Sequence, residues 1–179
     1  MSAAAPRGAA RGDGSARGDG AARPLLLVDV DGVISLFGRG GDCVPALVDG
    51  IPHFLSRGAA AVLRRLAPRF ECVWCTGWED RAESYLPHLL ALPGGWAHVE
   101  FGERPAQGAH WKLAAIDAHA GHERPLVWLD DDHDERCAAW ARARAGETLL
   151  VTTDPAVGLT DAHEQRVVRW ADRLPAAAA

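Results

Sequence analysis

The chain has 179 residues, 48% of them hydrophobic and 24% charged, with a formal net charge of −5. That is the profile of one soluble globular domain with enough chain for a substantial core, and its acidic balance argues against broad electrostatic capture of nucleic acid. No apolar stretch approaches the roughly 20 residues of a membrane span and the N-terminus lacks the continuous apolar core of a secretory signal, so no membrane partner is expected and the expected compartment is the cytoplasm.

Residues 1–23 are rich in Ala, Gly and Arg, and Ala10-Arg11-Gly12-Asp13-Gly14-Ser15 recurs as Ala16-Arg17-Gly18-Asp19-Gly20-Ala21. Such a composition cannot build a core and predicts disorder. Four arginines and two aspartates give this tail +2, which leaves −7 on the remainder. The first apolar run, about Leu25–Val30, has no alternation and reads as a fully buried strand. Val33–Phe37 and Val44–Val48 read as the two short strands of a flap hairpin, with a turn at Gly38-Arg39-Gly40-Gly41. Ser56 can cap a helix with Ala59, Val62, Leu63 and Leu66 inward, stopped at Pro68.

A second strand, Glu71–Cys75, runs into Thr76-Gly77-Trp78. A helix follows with Ala82, Tyr85, Leu86 and Leu89 on one face, ended by Pro93-Gly94-Gly95. A short strand lies near His98–Phe101, then a loop over Pro105–Gly108. The next helix spans Ala109 to about Ala120, with Leu113 and Ile116 inward and Gly121 as C-cap. Strand Pro125–Leu129 ends in Asp130-Asp131-Asp132. A helix over about Asp134–Ala145 turns Cys137, Trp140 and Ala141 inward. Strand Thr148–Thr152 precedes a last helix, capped by Thr160 or Asp161, with Val167, Trp170, Ala171 and Leu174 on one face. Strands alternating with helices predict an α/β, Rossmann-like fold: a five-stranded, mostly parallel sheet with helices on both faces. The expected layout is a tail over 1–23, a domain over 24–175 with its flap at about 33–54, and a short tail over 176–179.

Right-handed crossovers bring the C-terminal ends of these strands to one edge, where open parallel sheets bind ligands. Asp29-Val30-Asp31-Gly32 ends the first strand, Thr76 the second, and Asp130-Asp131 the fourth. Lys112, near a helix start, can reach the same edge. Two carboxylates flanking one residue can hold a hard cation or divide nucleophile and acid/base roles; they also fit a strand that ends in a solvated Asp-Gly turn. Gly32 lets the backbone turn and approach a bound group. A phosphoryl transfer needs a nucleophile, charge neutralisation and an acid for the leaving group. Asp29 can supply the first and Asp31 the last, Thr76 and Lys112 can bind phosphoryl oxygens, and Asp29, Asp130 and Asp131 offer oxygen ligands suited to magnesium.

In this order the residues resemble the haloacid dehalogenase (HAD) superfamily of phosphohydrolases. The matching motifs are Asp29-Val30-Asp31-Gly32, then Thr76, then Lys112, then Asp130-Asp131, spread over Leu25–Thr152. Trp74-Cys75-Thr76-Gly77-Trp78, Trp111-Lys112-Leu113, Val127-Trp128-Leu129-Asp130-Asp131 and Gly158-Leu159-Thr160 further resemble small, capless bacterial HAD proteins similar to the HAD domains of RNA repair assemblies. The resemblance implies an aspartyl-phosphate on Asp29, acid/base work by Asp31, and phosphate contacts from Gly32, Thr76, Gly77 and Lys112. It implies Mg2+ held by Asp29, the Asp31 backbone carbonyl and a carboxylate of the Asp130–Asp134 run, with Asp131 favoured and Asp130 supporting. Asp31 points to phosphate chemistry, because true dehalogenases generally lack the second aspartate. No room is left for a large cap, and capless members often act on macromolecular or exposed phosphates. The expected partner is therefore a phosphorylated substrate; a polynucleotide end is the alternative, which the net charge does not favour, and a non-catalytic phosphate-binding or partner module is the third reading.

Bland readings stand beside several of these residues. Lys112 also fits an ordinary surface lysine and Thr76 a turn residue. Asp132 and Asp134 are expected to cap the following helix, and Trp78 and Trp111 to pack rather than stack a base. Arg39 and His53 are flap residues within reach of a leaving group. Cys72 and Cys75 have C-x-x-C spacing, but strand geometry puts them on opposite faces as buried thiols. No His-x-His or His-x-x-x-His pair marks a metal site.

Overall fold

The structure, a computed structural model, describes residues 23–38, 41–102 and 110–175. Its main sheet is parallel throughout and has the order β5-β4-β1-β6-β7, formed by β1 (Leu25–Val28), β4 (Glu71–Trp74), β5 (Ala97–His98), β6 (Leu126–Asp130) and β7 (Thr148–Thr152). A two-stranded antiparallel ribbon, β2 (Cys43–Val48) with β3 (Ile51–Ser56), is inserted after β1. The helices are α1 (Arg57–Leu66), α2 (Asp80–Leu90), α3 (Leu113–Ala120), α4 (Glu135–Ala143) and α5 (Asp161–Ala171). This is the expected Rossmann-like α/β fold, with no cap domain among the described residues.

β1 lies at the centre, and its four residues are wholly buried because both faces of the sheet are covered. Leu26 and Val28 point into a core shared with Val62, Leu63 and Leu66 of α1, Leu86 of α2 and Trp170 of α5. Leu25 and Leu27 point the other way, towards Ile116 of α3 and Cys137 of α4. The same alternation puts Cys72 and Cys75 in opposite cores, both as free thiols. Burial pushes the Cys72 thiol up to about 12 and raises that of Cys75, so both stay protonated and unreactive.

Several expected caps hold. The Ser56 hydroxyl accepts the Ala59 N–H at 3.1 Å, Asp134 caps α4 through the Arg136 and Cys137 N–H groups, and Gly121 ends α3 with φ +66°. Thr160 caps α5 in a capping box completed by His163. Other boundaries differ. The β1 ladder stops at Val28, although Asp29 N–H still bonds the Leu129 carbonyl. α3 begins only at Leu113, with Lys112 as its N-terminal flanking residue; Arg39 and the Pro105–Gly108 loop lie outside the described residues. On α2 the buried face is Ala82, Leu86 and Leu90, leaving Leu89 exposed.

The flap hairpin also forms differently. Its strands are β2 and β3, joined at Asp49-Gly50, where φ is +50° and +80°. Two successive positive φ values are what a tight hairpin turn needs, and Asp-Gly is among the pairs that supply them. Prolines are tolerated at Pro45 of β2 and Pro52 of β3 because neither position is flanked by a third strand; the chain beside β3 meets it only at Phe54–Ser56. Val33–Phe37 instead turns back and runs beside β3, with Leu36 N–H on the Phe54 carbonyl and Ser56 N–H on that of Ile34. The hairpin tip is fastened to α2: Asp49 accepts from the Tyr85 hydroxyl at 2.9 Å and from Arg81 at 3.2 Å. Arg81 in turn donates to the carbonyls of Gly77 and Trp78.

The two-faced core gives a direct test. Leu63→Ala, in the α1 face and fully buried, is expected to cost about 2–5 kcal/mol in urea unfolding. Leu89→Ala, on the exposed side of α2, is expected to stay within about 0.5 kcal/mol of wild type.

Candidate active site

Three strand ends and one helix start converge at the C-terminal edge, where β1 and β6 lie side by side. Asp29 follows β1 and is 6% exposed, Asp130 closes β6 and is 1% exposed, and Lys112 before α3 is 3% exposed. The Lys112 ammonium lies 2.9 Å from Asp29 Oδ2 and 2.7 Å from Asp130 Oδ2. A solvated Asp-Gly turn and a surface lysine are thereby ruled out. Charges this deep persist only when paired and hydrogen-bonded.

Asp130 spends its carboxylate on structure. Oδ2 also accepts the Trp128 indole N–H at 3.0 Å, and Oδ1 accepts the Asp132 N–H at 3.0 Å. Asp131 differs: its half-buried carboxylate meets no donor beyond its own backbone N–H among the described residues. It sits hard against the first loop, where a Cβ on Gly32 would fall 2.3 Å from the Asp131 carboxyl carbon. Gly32, at φ +71°, therefore serves both the turn and the approach of Asp131. Thr153, just past β7, ties these parts together. Its hydroxyl donates to the Gly32 carbonyl at 2.9 Å, and its N–H donates to that of Asp130 at 3.0 Å.

Asp29, Asp31, Thr76, Gly77, Lys112, Asp130, Asp131 and Asp132 share one cavity of about 270 Å³, which His110 and Trp111 also line. Thr76 is buried, and its hydroxyl accepts the Trp78 N–H at 3.4 Å. Asp31 is half exposed at the mouth, where the Trp78 indole N–H donates to its Oδ2 at 2.9 Å. His53 of β3 places Nδ1 3.9 Å from Asp31 Oδ1. Trp111 packs on Phe101, with the Lys112 ammonium 5.1 Å from its ring. Seven of the eight expected site residues line this cavity; Gly32 does not and lies against Asp131 instead, while Asp132, expected as a helix cap, lines it. Asp134 is a helix cap, outside the cavity.

Sequence reasoning missed Thr153 and the indoles of Trp78 and Trp128 as partners of the carboxylates. The signal for the indoles was their position, two residues from Thr76 and from Asp130: a buried indole keeps one polar atom that needs an acceptor.

Carboxylate oxygens of Asp29, Asp130 and Asp131 lie within 4.8 Å of one another. Three carboxylates face one ammonium, and the donors are hard oxygens, a set that fits a magnesium-sized divalent cation. The electrostatics agree. Burial pushes the Asp29 carboxyl up to about 7; the Lys112 charge opposes the shift and Asp130 adds to it. Burial and Asp130 also raise the Asp131 carboxyl. The paired carboxylates outweigh burial at Lys112 and hold its ammonium above the usual range.

A family model describing the HAD domain in Swiss Army Knife RNA repair proteins matches residues 25–163, and the chain belongs to that family. HAD domains are generally hydrolases and typically use Mg2+. No curated protein matches the chain. No helix among the described residues is long and apolar enough to cross a membrane.

The raised Asp29 carboxyl makes stability depend on pH. The unfolded group titrates near 3.8 and the folded one near 7, so the folded state holds the extra proton between them. This contribution is complete below pH 3.8 and is lost as pH rises through 7. His133, lowered from 6.5 to about 4 by burial, acts in the opposite sense below pH 6.5. In chelator, the thermal midpoint is therefore expected to fall between pH 6.5 and 8, and Asp29→Asn to flatten that fall. Melting curves across this range check it.

Proposed function

We propose that the chain is a magnesium-dependent phosphomonoester hydrolase working through an aspartyl-phosphate on Asp29. One observation carries this reading: Asp29 is buried against Lys112, in a small cavity whose mouth holds a second, half-exposed carboxylate, Asp31. A carboxylate fixed at a strand end is a suitable nucleophile, and a more exposed one beside it suits proton exchange with leaving group and water.

In the first step Asp29 attacks phosphorus. The acyl-phosphate bond forms as the P–O bond to the leaving group breaks, and Asp31 protonates the departing oxygen. In the second step Asp31 takes a proton from a water, which attacks the same phosphorus. Inorganic phosphate leaves and Asp29 is regenerated. Lys112 and the Thr76 hydroxyl, beside Gly77, contact phosphoryl oxygens, while Gly32 keeps the first loop close to them. Asp29, Asp131 and the Asp31 carbonyl would hold Mg2+, with Asp130 in support, and the cation would screen the two anions that must meet.

The substrate is a phosphomonoester. The terminal phosphate of an oligoribonucleotide is the favoured macromolecular candidate, supported by the family's RNA repair description and by the lack of a cap over the cavity among the described residues.

Purified protein with Mg2+ is expected to hydrolyse an aryl phosphate, and Asp29→Asn to show none of that turnover. Asp31→Asn is expected to lose about 10²–10⁴-fold. Equal turnover by Asp29→Asn, or full activity in chelator, would sink the mechanism; cation binding without turnover on a broad panel would favour the non-catalytic reading. Gly32→Ala drives a methyl into Asp131 and costs about 1–2 kcal/mol in backbone strain, so titration calorimetry is expected to show weakened Mg2+ binding. For the RNA candidate, a phosphorylated oligoribonucleotide is expected to be preferred over free nucleotides, and the reverse order would remove it.

A further inference from the structure

Asp31 has a side chain 42% exposed at the cavity mouth. A side chain so open ordinarily exchanges between rotamers, whereas an acid serving one departing oxygen needs a single pose. The Trp78 indole supplies the constraint through its 2.9 Å bond to Asp31 Oδ2. An indole N–H only donates, so it fixes the carboxylate without taking part in proton exchange.

Trp78 is itself held firmly. It is 8% exposed, and its ring meets His53 edge-on at 4.6 Å. Its backbone N–H donates to the Thr76 hydroxyl at 3.4 Å, and its backbone carbonyl accepts from Arg81 Nε at 3.2 Å. His53 is steadied by a 2.9 Å bond between Nδ1 and the Ser35 hydroxyl. At 3.9 Å from Asp31 Oδ1, that nitrogen is beyond hydrogen-bond range. Among the described residues no donor engages Oδ1, which therefore remains available to a leaving group.

We propose that Trp78 is the positioning residue of the proton-transfer step: its indole N–H pins Asp31 Oδ2, leaves Oδ1 to serve the departing oxygen, and so sets how poor a leaving group the site accepts. This rests on the hydrolase reading above. Trp78→Phe keeps an aromatic ring, a smaller one, against His53 and removes the donor. An alkyl ester such as ethyl phosphate needs its leaving oxygen protonated, whereas p-nitrophenyl phosphate needs this far less.

The experiment compares kcat/KM on both esters, because kcat/KM stops at the first irreversible step and excludes the water attack. The ratio of p-nitrophenyl to ethyl phosphate is expected to rise about tenfold or more in Trp78→Phe, as a displaced catalytic group would produce. The Asp31→Asn/Trp78→Phe double variant is expected to be no worse than Asp31→Asn alone, since both act on one interaction. Parallel losses on the two esters, or additive losses in the double variant, overturn the proposal. Ser35→Ala, which frees His53 behind the indole, is expected to move the ratio the same way by about threefold, on the scale of one hydrogen bond; it decides the matter if Trp78→Phe does not fold, and an unchanged ratio there counts against the proposal. A wild type that is active but insensitive to Trp78 refutes only this step. A wild type that turns over neither ester refutes the hydrolase reading and this step with it.

Discussion

The buried ammonium of Lys112, shared by Asp29 and Asp130, is the interaction on which the rest of the site depends. Two carboxylates at the ends of adjacent parallel strands repel each other in a medium that solvates neither. One cation between them makes the arrangement tolerable, and removing it would leave unpaired charge whose cost is typically about 3–5 kcal/mol. The pairing links three distant parts of the chain, the ends of β1 and β6 and the start of α3. It leaves a surplus of negative charge once Asp131 is counted, which favours recruitment of a hard cation over a second basic residue.

Around that triad, neighbouring carboxylates have diverged in use through their partners. Asp130 is saturated by Lys112, Trp128 and the Asp132 N–H, and acts as a fixed point. Asp131 meets no such donor among the described residues and rests against a glycine that cannot crowd it further. Asp29 and Asp31 are separated in the same way: one is sealed beside an ammonium, the other lies open beside an indole. Adjacent residues of identical type thus receive different environments, which is how a run of aspartates can serve several tasks.

Much of this was legible in the sequence because the signals were local. Apolar runs ending in Asp29, Thr76 and Asp130 announced strands whose ends meet at one edge, and Ser56, Gly121 and Asp134 marked helix ends by cap chemistry. The hairpin differs from expectation because Gly38-Arg39-Gly40-Gly41 is as good a turn signal in sequence as Asp49-Gly50, and only the fold shows which turn joins paired strands. The tryptophan contacts were hidden for another reason. An indole is chiefly apolar in composition, and only its placement within the fold shows whether its one N–H meets solvent or a carboxylate. Thr153 left no local signal at all, since its contacts reach back 121 residues to Gly32.

The fastening of the Asp49 tip to Arg81 and Tyr85 carries the cavity rim onto α2. Asp29, Thr76 and Asp130 stand at the ends of the sheet and Lys112 at the start of α3, whereas His53 and Ser35 belong to the segment between β1 and α1. That segment is anchored well beyond its two ends: Val33, Ile34 and Leu55 lie in the core, and the Val33 carbonyl and Phe37 N–H bond Leu159 and Pro155. Its exposed tip can vary in sequence without disturbing the residues around the buried ammonium, whereas exchanging the whole segment would also dismantle one face of the core.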